Sequence, residues 1–440
     1  MKTKKALYLI GGILLAAALI VGLYFGIQAL KNKTAHSTPS STEAGTDVPA
    51  TIPSEAGQTS ADSSEAVSTT EPLELSEEVQ AVKIKEVYTV DDLKSDDPRL
   101  DQVVATCGDS KLTNRQAQIY YFVQFYGFMR EYGDYITMFG LDPTKPLSEQ
   151  EFIGNSAMNW EQYFLMAGMQ SYQQYAAICA KAEAEGYQIP EEDAEKLGEL
   201  RSSMEKEAAQ YGYESVDAYL QASFGSGVRY EDYEEYLHFY FTAMSYENEL
   251  YENISVTEQE LKAYFESHPD EFEGMDPEIP NISVRHILIS SDSDNNGETS
   301  EEERSTAQAK AQELLAGLRS NPSEEYFAEL AKENTDDPGS KENGGLYEDV
   351  YPGQMVPAFD EWCFDKDRKP GDMDVVETSY GFHVMYFVKQ TDTYHWKSTA
   401  EENIKSETMD KLIEEILAPM ELKVNYQDVI LAPIPQDEEE

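Results

Sequence analysis

Basic residues are scarce in this 440-residue chain: 33 Lys and Arg stand against 84 Asp and Glu, a formal net charge of −51. Nucleic acid is therefore excluded as a partner, because its phosphates would be repelled. The folded part is likewise unsuited to docking on anionic lipid. Cysteines number three, Cys107, Cys179 and Cys363. They form no CxxC pair and no ligand spacing, so neither a disulfide framework nor a zinc site is indicated. Long apolar runs are lacking except at residues 6–30, which carry no charge. That run exceeds the roughly 7–15 residues of a signal-peptide core and reaches the roughly 20 needed to span a bilayer. An uncleaved transmembrane anchor is favoured over a cleaved signal. No cysteine near its end offers a lipid attachment point. Lys2, Lys4 and Lys5 before the run, with the free amine, set the N-terminus inside, although Lys31 and Lys33 follow it.

Residues 34–82 lack Lys, Arg and every aromatic, and consist largely of Ser, Thr, Ala, Pro, Glu and Gly. Such a segment cannot bury enough apolar surface to offset chain entropy, and is expected to be a disordered tether. Order is expected from Lys83. Residues 101–112 read as a strand, a turn at Gly108-Asp109 and a return. A helix capped by Thr113 or Asn114 follows, with Ile119, Phe122, Val123 and Tyr126 on one stripe. Helical patterns run over 147–186, 191–211, 214–223, 230–252 and 256–268, the last opened by a Thr257/Glu260 capping box. The Tyr, Phe and Met of this region form either a helical core or, in part, an exposed cradle for unfolded chains. After residue 391, a helix over 398–417 and extended chain over 421–426 and 429–431 are expected.

The chemistry concentrates in residues 281–391. Ser283-Val-Arg-His-Ile-Leu-Ile289 alternates as a half-buried strand with His286 on it, and residues 375–388 read as two strands turning near Tyr380-Gly381, with His383 on the second. Between them lie two helices, the Asp336-Asp-Pro-Gly-Ser340 loop, a Gly344-Gly345 turn and Gly353-Gln-Met-Val-Pro-Ala-Phe359. With Arg285-His-Ile-Leu288 and Thr378-Ser-Tyr-Gly-Phe-His383, these four motifs stand in the order of the parvulin type of peptidyl-prolyl isomerase, which this stretch resembles. The start of the preceding region resembles, more loosely, the chaperone domain of extracytoplasmic foldases of the PrsA and SurA sort.

The resemblance implies an α+β fold class: a parvulin (FKBP-like) domain with a small antiparallel sheet and surrounding helices, inserted in a mainly helical chaperone domain. The expected boundaries are 1–33 for the cytoplasmic end and anchor, 34–82 for the linker, 83–280 for the first chaperone part, 281–391 for the parvulin domain, 392–434 for a segment returning to the chaperone domain, and 435–440 for an acidic tail. It implies catalytic roles for His286, Asp337, Thr378 and His383, and a proline pocket of Met355 and Phe359 with Tyr380 at its edge. One departure stands out. Where the family has a pocket Leu in Gly-Gly-Asp-Leu-Gly, this chain has Tyr347, which would narrow the pocket or supply a hydroxyl. The implied activity is isomerisation of Xaa-Pro bonds in unfolded exported proteins, on the extracytoplasmic side of a cell membrane, with no required cofactor. A parvulin-fold holdase without activity and a cell-envelope scaffold stay as alternatives.

The loop after the first strand carries a pattern that the resemblance does not supply. Residues 292–303 fit the D-x-[DN]-x-[DN]-G-x5-E calcium loop, with Asp292, Asp294, Asn296, Glu298 and Glu303 as oxygen donors and Gly297 at the turn. The other reading is a solvated acidic loop. A calcium site predicts a calcium-dependent rise in melting temperature that Asp294→Ala plus Glu303→Gln abolishes. No shift, or an equal one in the double variant, leaves a plain surface loop. Residues 290–303 also hold no base, so phosphate recognition lacks its cations. An Ala-Pro peptide should be turned over faster than a Glu-Pro or phospho-Ser-Pro one, and the reverse order would overturn this reading.

Overall fold

The computed structural model describes residues 85–293 and 296–435. The expected anchor and linker, residues 6–30 and 34–82, lie outside them, as do Asp294 and the acidic tail. Among the described residues no helix is long and apolar enough to cross a membrane. Helices and small antiparallel sheets make up two compact units, one formed by residues 85–254 with 408–435 and the other by 255–407.

The first unit begins with the hairpin β1 (Val103–Cys107) and β2 (Ser110–Thr113), turning at Gly108, whose φ of 56° suits glycine. Thr113 and Gln116 then form a reciprocal capping box that starts α1 (Asn114–Tyr132). The helical pattern from residue 147 is interrupted: a short hairpin, β3 (Glu151–Phe152) and β4 (Asn155–Asn159), comes first, and α2 is Trp160–Glu185. The reason is local. Asn159 takes the N-cap, accepting from Gln162 N, and Gln162 caps back onto Asn159 N, which fixes the helix start there. The helices α3 (Glu191–Gln210), α4 (Val216–Phe224) and α5 (Tyr230–Glu252) follow. One core joins Tyr121, Phe122, Trp160, Phe164, Tyr219 and Phe224, so most aromatics of the region are core; Tyr135, Met138 and Ile153 stay exposed.

The second unit opens with α6 (Glu258–Ser267) and then β5 (Ile282–Ser290), α7 (Glu301–Ser320), α8 (Glu324–Asn334), the single turn α9 (Pro338–Lys341), β6 (Leu346–Val350), α10 (Pro357–Cys363), β7 (Met373–Thr378) and β8 (Gly381–Gln390). The sheet is antiparallel in the order β6-β5-β8-β7. The edge strand β6 goes beyond the sequence reading, because Leu346-Tyr-Glu-Asp-Val350 lacks a clean alternation and Asp349 sits at φ 53°. Strand alternation sends Ile287, Ile289, Phe382 and Val384 to one face, under α7 and α8, and Val284, Met385 and Phe387 to the other, with α10. His286 and His383 share the α10 face by the same parity.

The last helix, α11 (His395–Leu417), starts three residues before the expected Ser398. Its Trp396 and Ala400 pack with Leu261 and Phe272 in the second unit. Its Ile413 and Ile416 pack with Ile178 and Tyr246 in the first. The final strand β9 (Leu422–Val424) pairs with β1. Beyond it, residues 428–432 lie against α1: Ile430 N donates to Asn114 Oδ1 at 3.0 Å and Ala432 N to Gln118 Oε1 at 2.9 Å.

Gly345, at φ 75°, accepts at its carbonyl from His286 N at 2.8 Å, and a Cβ there would lie 2.1 Å from His286 O. Gly317 sits inside α7 with open space around it. Gly345→Ala should therefore destabilise the protein by roughly 2–4 kcal/mol through strain and overpacking, whereas Gly317→Ala should stabilise it by about 0.5–1 kcal/mol. Urea unfolding of both variants checks the opposite signs; equal effects would show that the backbone can yield behind His286.

Candidate active site

Asp337 ends the Thr335–Asp337 loop as N-cap of α9, with Oδ1 accepting from Gly339 N at 3.0 Å. Thr335 holds the loop against the sheet: its Oγ1 accepts from Leu288 N at 3.0 Å and from Asp337 N at 3.2 Å. The other carboxylate oxygen of Asp337 points at the strands. Its Oδ2 lies 2.9 Å from His286 Nε2 and accepts from the hydroxyl of Tyr347 at 2.9 Å and from Ser340 Oγ. His286 Nδ1 lies 3.0 Å from His383 Nδ1, and His383 Nε2 lies 2.8 Å from Thr378 Oγ1, which also accepts from Tyr380 N at 3.1 Å.

The partners restrict where the protons sit. Asp337 is acceptor-only when ionised, so His286 carries a proton on Nε2. Between the two Nδ1 atoms one ring donates and the other accepts. The chain runs from the Tyr380 amide through Thr378, His383 and His286 to the carboxylate. The two imidazole rings are nearly parallel at 5.3 Å between centroids, and Phe359 meets each edge-on, 5.5 Å from His286 and 5.4 Å from His383.

The electrostatics keep Asp337 ionised and His383 neutral. Burial pushes the Asp337 carboxyl up, but the hydrogen bonds from His286 and Ser340, with Tyr347 adding its own, outweigh it and hold the group well below the usual carboxylate range. Burial pushes His383 down to about 3, and the neighbouring His286 adds to the effect. Burial, then the Asp337 charge, pushes the Tyr347 phenol up. A carboxylate that accepts from three side chains is a poor nucleophile and a well-fixed negative charge.

The structure brings together His286, Asp337, Thr378, His383, Tyr347 and Phe359. Met355 is half-buried and packs against the apolar cluster that holds Phe359, Trp362 and Val284. Tyr380 takes part through its backbone, while its side chain is 62% exposed. Ser340 and Thr335 complete the cluster without having been assigned a part from sequence. Ser340 was legible in principle: it follows Asp337 by three residues, one helical turn beyond a Pro at the first helical position. In the loop after β5, Asp292 accepts from the backbone of Asn296 and Gly297, at 3.0 and 2.9 Å, and the Asn296 side chain accepts from Glu298 N at 2.8 Å. Glu303 accepts from Ser293 and Ser300 as an N-terminal cap. No group of three or more His, Cys, Asp or Glu converges as a metal shell among the described residues.

Both shifted groups bind fewer protons folded than unfolded at low pH, so stability is lost as pH falls. For His383 the loss begins below its unfolded value of about 6.5 and continues to the folded value of about 3. For Asp337 it begins below about 3.9. Between pH 6.5 and 4, the wild type should lose unfolding free energy more steeply than His383→Gln, by up to about 1.4 kcal/mol per pH unit, one proton's worth. Parallel slopes in urea titrations would mean that His383 is charged in the folded state.

A family profile described as the PPIC-type PPIASE domain matches residues 272–391. Over 250 residues the chain is 27% identical to the foldase protein PrsA of Halalkalibacterium halodurans, covering 55% of this chain and 64% of that one. It is 34% identical over 148 residues to the foldase protein PrsA of Geobacillus kaustophilus, covering 33% and 41%. The match thus spans less than two thirds of the length of these curated relatives. The crystal structure of PrsA from Bacillus subtilis aligns over 62% of this chain and 93% of its own, at 20% identity and a TM-score of 0.29. Residues 272–391 are a PPIC-type, parvulin peptidyl-prolyl isomerase domain, carried by a chain that is similar over part of its length to the PrsA foldases.

Proposed function

We propose that the chain is a membrane-anchored foldase that accelerates Xaa-Pro isomerisation in proteins folding outside the cytoplasmic membrane. The anchor is residues 6–30, the tether 34–82, and the isomerase domain is an insertion in the helical chaperone domain. The observation that carries the catalytic reading is the fixed Asp337 charge, held by the histidine chain beside the apolar Phe359 and Met355.

Rotation about the peptide bond has a barrier of about 18–20 kcal/mol because resonance makes the planar amide dipolar. The twisted state is less dipolar, with less negative charge on oxygen. Apolar surface from Met355 and Phe359 disfavours the planar form by removing water from the carbonyl. A negative charge close to that oxygen disfavours it further, and the twisted state gains by difference. Asp337 has this role, His286 and His383 fix and orient it, and Thr378 ends the chain. Tyr347 is both a third donor to Asp337 and part of the apolar wall. Nothing in the step forms a covalent bond or consumes a cofactor. Exposed Tyr135, Met138 and Ile153 on the helical unit support contact with unfolded apolar segments.

In a proline-switch peptide assay on the full chain, Met355→Ala should lower kcat/KM roughly tenfold, the loss of about 1.4 kcal/mol of apolar contact at a half-buried side chain. Asp337→Asn should lower it by a similar factor while retaining the shape. If both variants keep full activity, the site is misassigned. A wild type that does not accelerate the switch leaves a binding chaperone.

A further inference from the structure

We infer that Asp360 is a positioning residue of the proline pocket: its carboxylate ties the loop that carries Met355 to the helix that carries Phe359, so both walls stand in place before a substrate arrives. This role in the reaction rests on the pocket of Met355 and Phe359 proposed above.

The loop, Tyr351-Pro-Gly-Gln-Met-Val356, joins β6 to α10. It opens with a tight turn. Pro352 and Gly353 hold the two central positions, Gly353 lies at φ 86°, and Gln354 N donates to Tyr351 O at 3.2 Å. A type II turn needs positive φ at its second central residue, and glycine supplies it. Gln354 Oε1 accepts from Tyr351 N at 3.2 Å and closes the turn on itself. These ties stay inside the turn, so they shape it without aiming it. Asp360 aims it: its Oδ1 accepts from Gly353 N at 2.9 Å. The Met355 amide also faces this carboxyl. Burial pushes the group above the ordinary value of an aspartate, and the amides of Gly353 and Met355 pull it back.

Helix capping does not account for this bond. Val356 is the N-cap of α10 and makes no side-chain cap, and Pro357 at the first helical position has no N–H to satisfy. A capping box would return a side chain to the N-cap amide. Asp360 instead reaches Gly353, three residues before the N-cap. Successive residues of a helix point about 100° apart. Phe359 can therefore meet both histidine rings while Asp360, next to it, turns to the loop. Met355 packs against the cluster that contains Phe359. Without the Asp360 bond, substrate binding itself would have to order the loop and the flexible Met355 side chain, at an entropic cost.

The test is a double-mutant cycle in the proline-switch assay on the full chain, read beside the Met355 methyl signal in protein labelled at the methionine methyl carbons. Asp360→Ala should lower kcat/KM about fivefold alone and less than about twofold in the Met355→Ala background, because the bond acts through that side chain. Asp360→Asn keeps the shape and one acceptor oxygen, and should retain at least about half of the wild-type value. The Met355 methyl, assigned by its loss in Met355→Ala, should be displaced by the neighbouring rings in the wild type. It should move toward the free-methionine position in Asp360→Ala and stay near the wild-type position in Asp360→Asn. If Asp360→Ala does not fold, Asp360→Ser, too short to reach Gly353, takes its place. A merely structural aspartate would lower the melting temperature and cost the same factor in both backgrounds. That additive result, a methyl that does not move, or equal damage from Asn and Ala at this position would overturn the inference. A wild type that does not accelerate the switch would remove the isomerase reading instead, and the methyl signal would then decide alone whether Asp360 holds Met355.

Discussion

The bond between two imidazole rings, His286 Nδ1 and His383 Nδ1 at 3.0 Å, is the constraint on which the isomerase unit depends. Such a contact is stable only if one ring donates and the other accepts. That requirement extends to the two outer nitrogens, each of which needs a polar partner of its own. Asp337 and Thr378 meet it. A buried carboxylate would itself be costly, and the hydroxyls of Ser340 and Tyr347 offset that cost. The loop carrying Asp337 is in turn held by Thr335, which accepts from the backbone of β5. Each polar group is there because the one before it would otherwise be left buried and unpaired.

The sheet makes this arrangement possible by parity. Leu288 stands opposite His383, and His286 opposite Met385, so the histidines are diagonal neighbours on one face. A one-residue slip in register would send one ring to the α7 face, where Ile287 and Phe382 are packed. Two close backbone approaches guard that register: Gly345 behind His286, and Gly381, where a Cβ would lie 2.2 Å from Ile289 O. The apolar cores on the two faces thus position the polar cluster as much as its own hydrogen bonds do.

Much of this is legible in the sequence because it is local. Alternation gives β5 and β8, a cap at Thr113 or Asn114 gives the start of α1 and the Thr257/Glu260 box that of α6, and the spacing of four motifs gives the isomerase domain. What is not legible depends on pairs distant along the chain. Nothing around Tyr347 says that its hydroxyl will reach Asp337 ten residues back, since that needs β6 laid beside β5. Nor does Leu346-Tyr-Glu-Asp-Val350 read as a strand, because an edge strand needs only one partner and tolerates charge. The interrupted helix before Trp160 was hidden for a different reason: apolar residues from Leu147 onward fit a helical period, and only the Asn159/Gln162 box selects the start. Likewise the parts of Asn114 and Gln118, which bind the backbone of residues 430 and 432, belong to chain ends more than three hundred residues apart.

That last separation has a physical consequence for the architecture. Joining residues 103–107 to 422–424 across so much chain would carry a large loop-closure entropy if the intervening chain were free. In the folded isomerase unit it is not free. Asn281 N donates to Thr393 O and Thr391 N to Asn281 O, each at 2.9 Å, so the incoming and outgoing segments of the domain are hydrogen-bonded side by side. Once that unit has folded, the chain from 281 to 391 acts as a short link rather than a long loop. The remaining closure is shared by α6 and α11, whose Leu261 and Trp396 pack together. Folding of the inner unit thereby lowers the entropic cost of the β1–β9 pairing that completes the outer one. Seen this way, the polar ties at Asn281, Thr391 and Thr393 serve the helical unit as well as the domain that contains them.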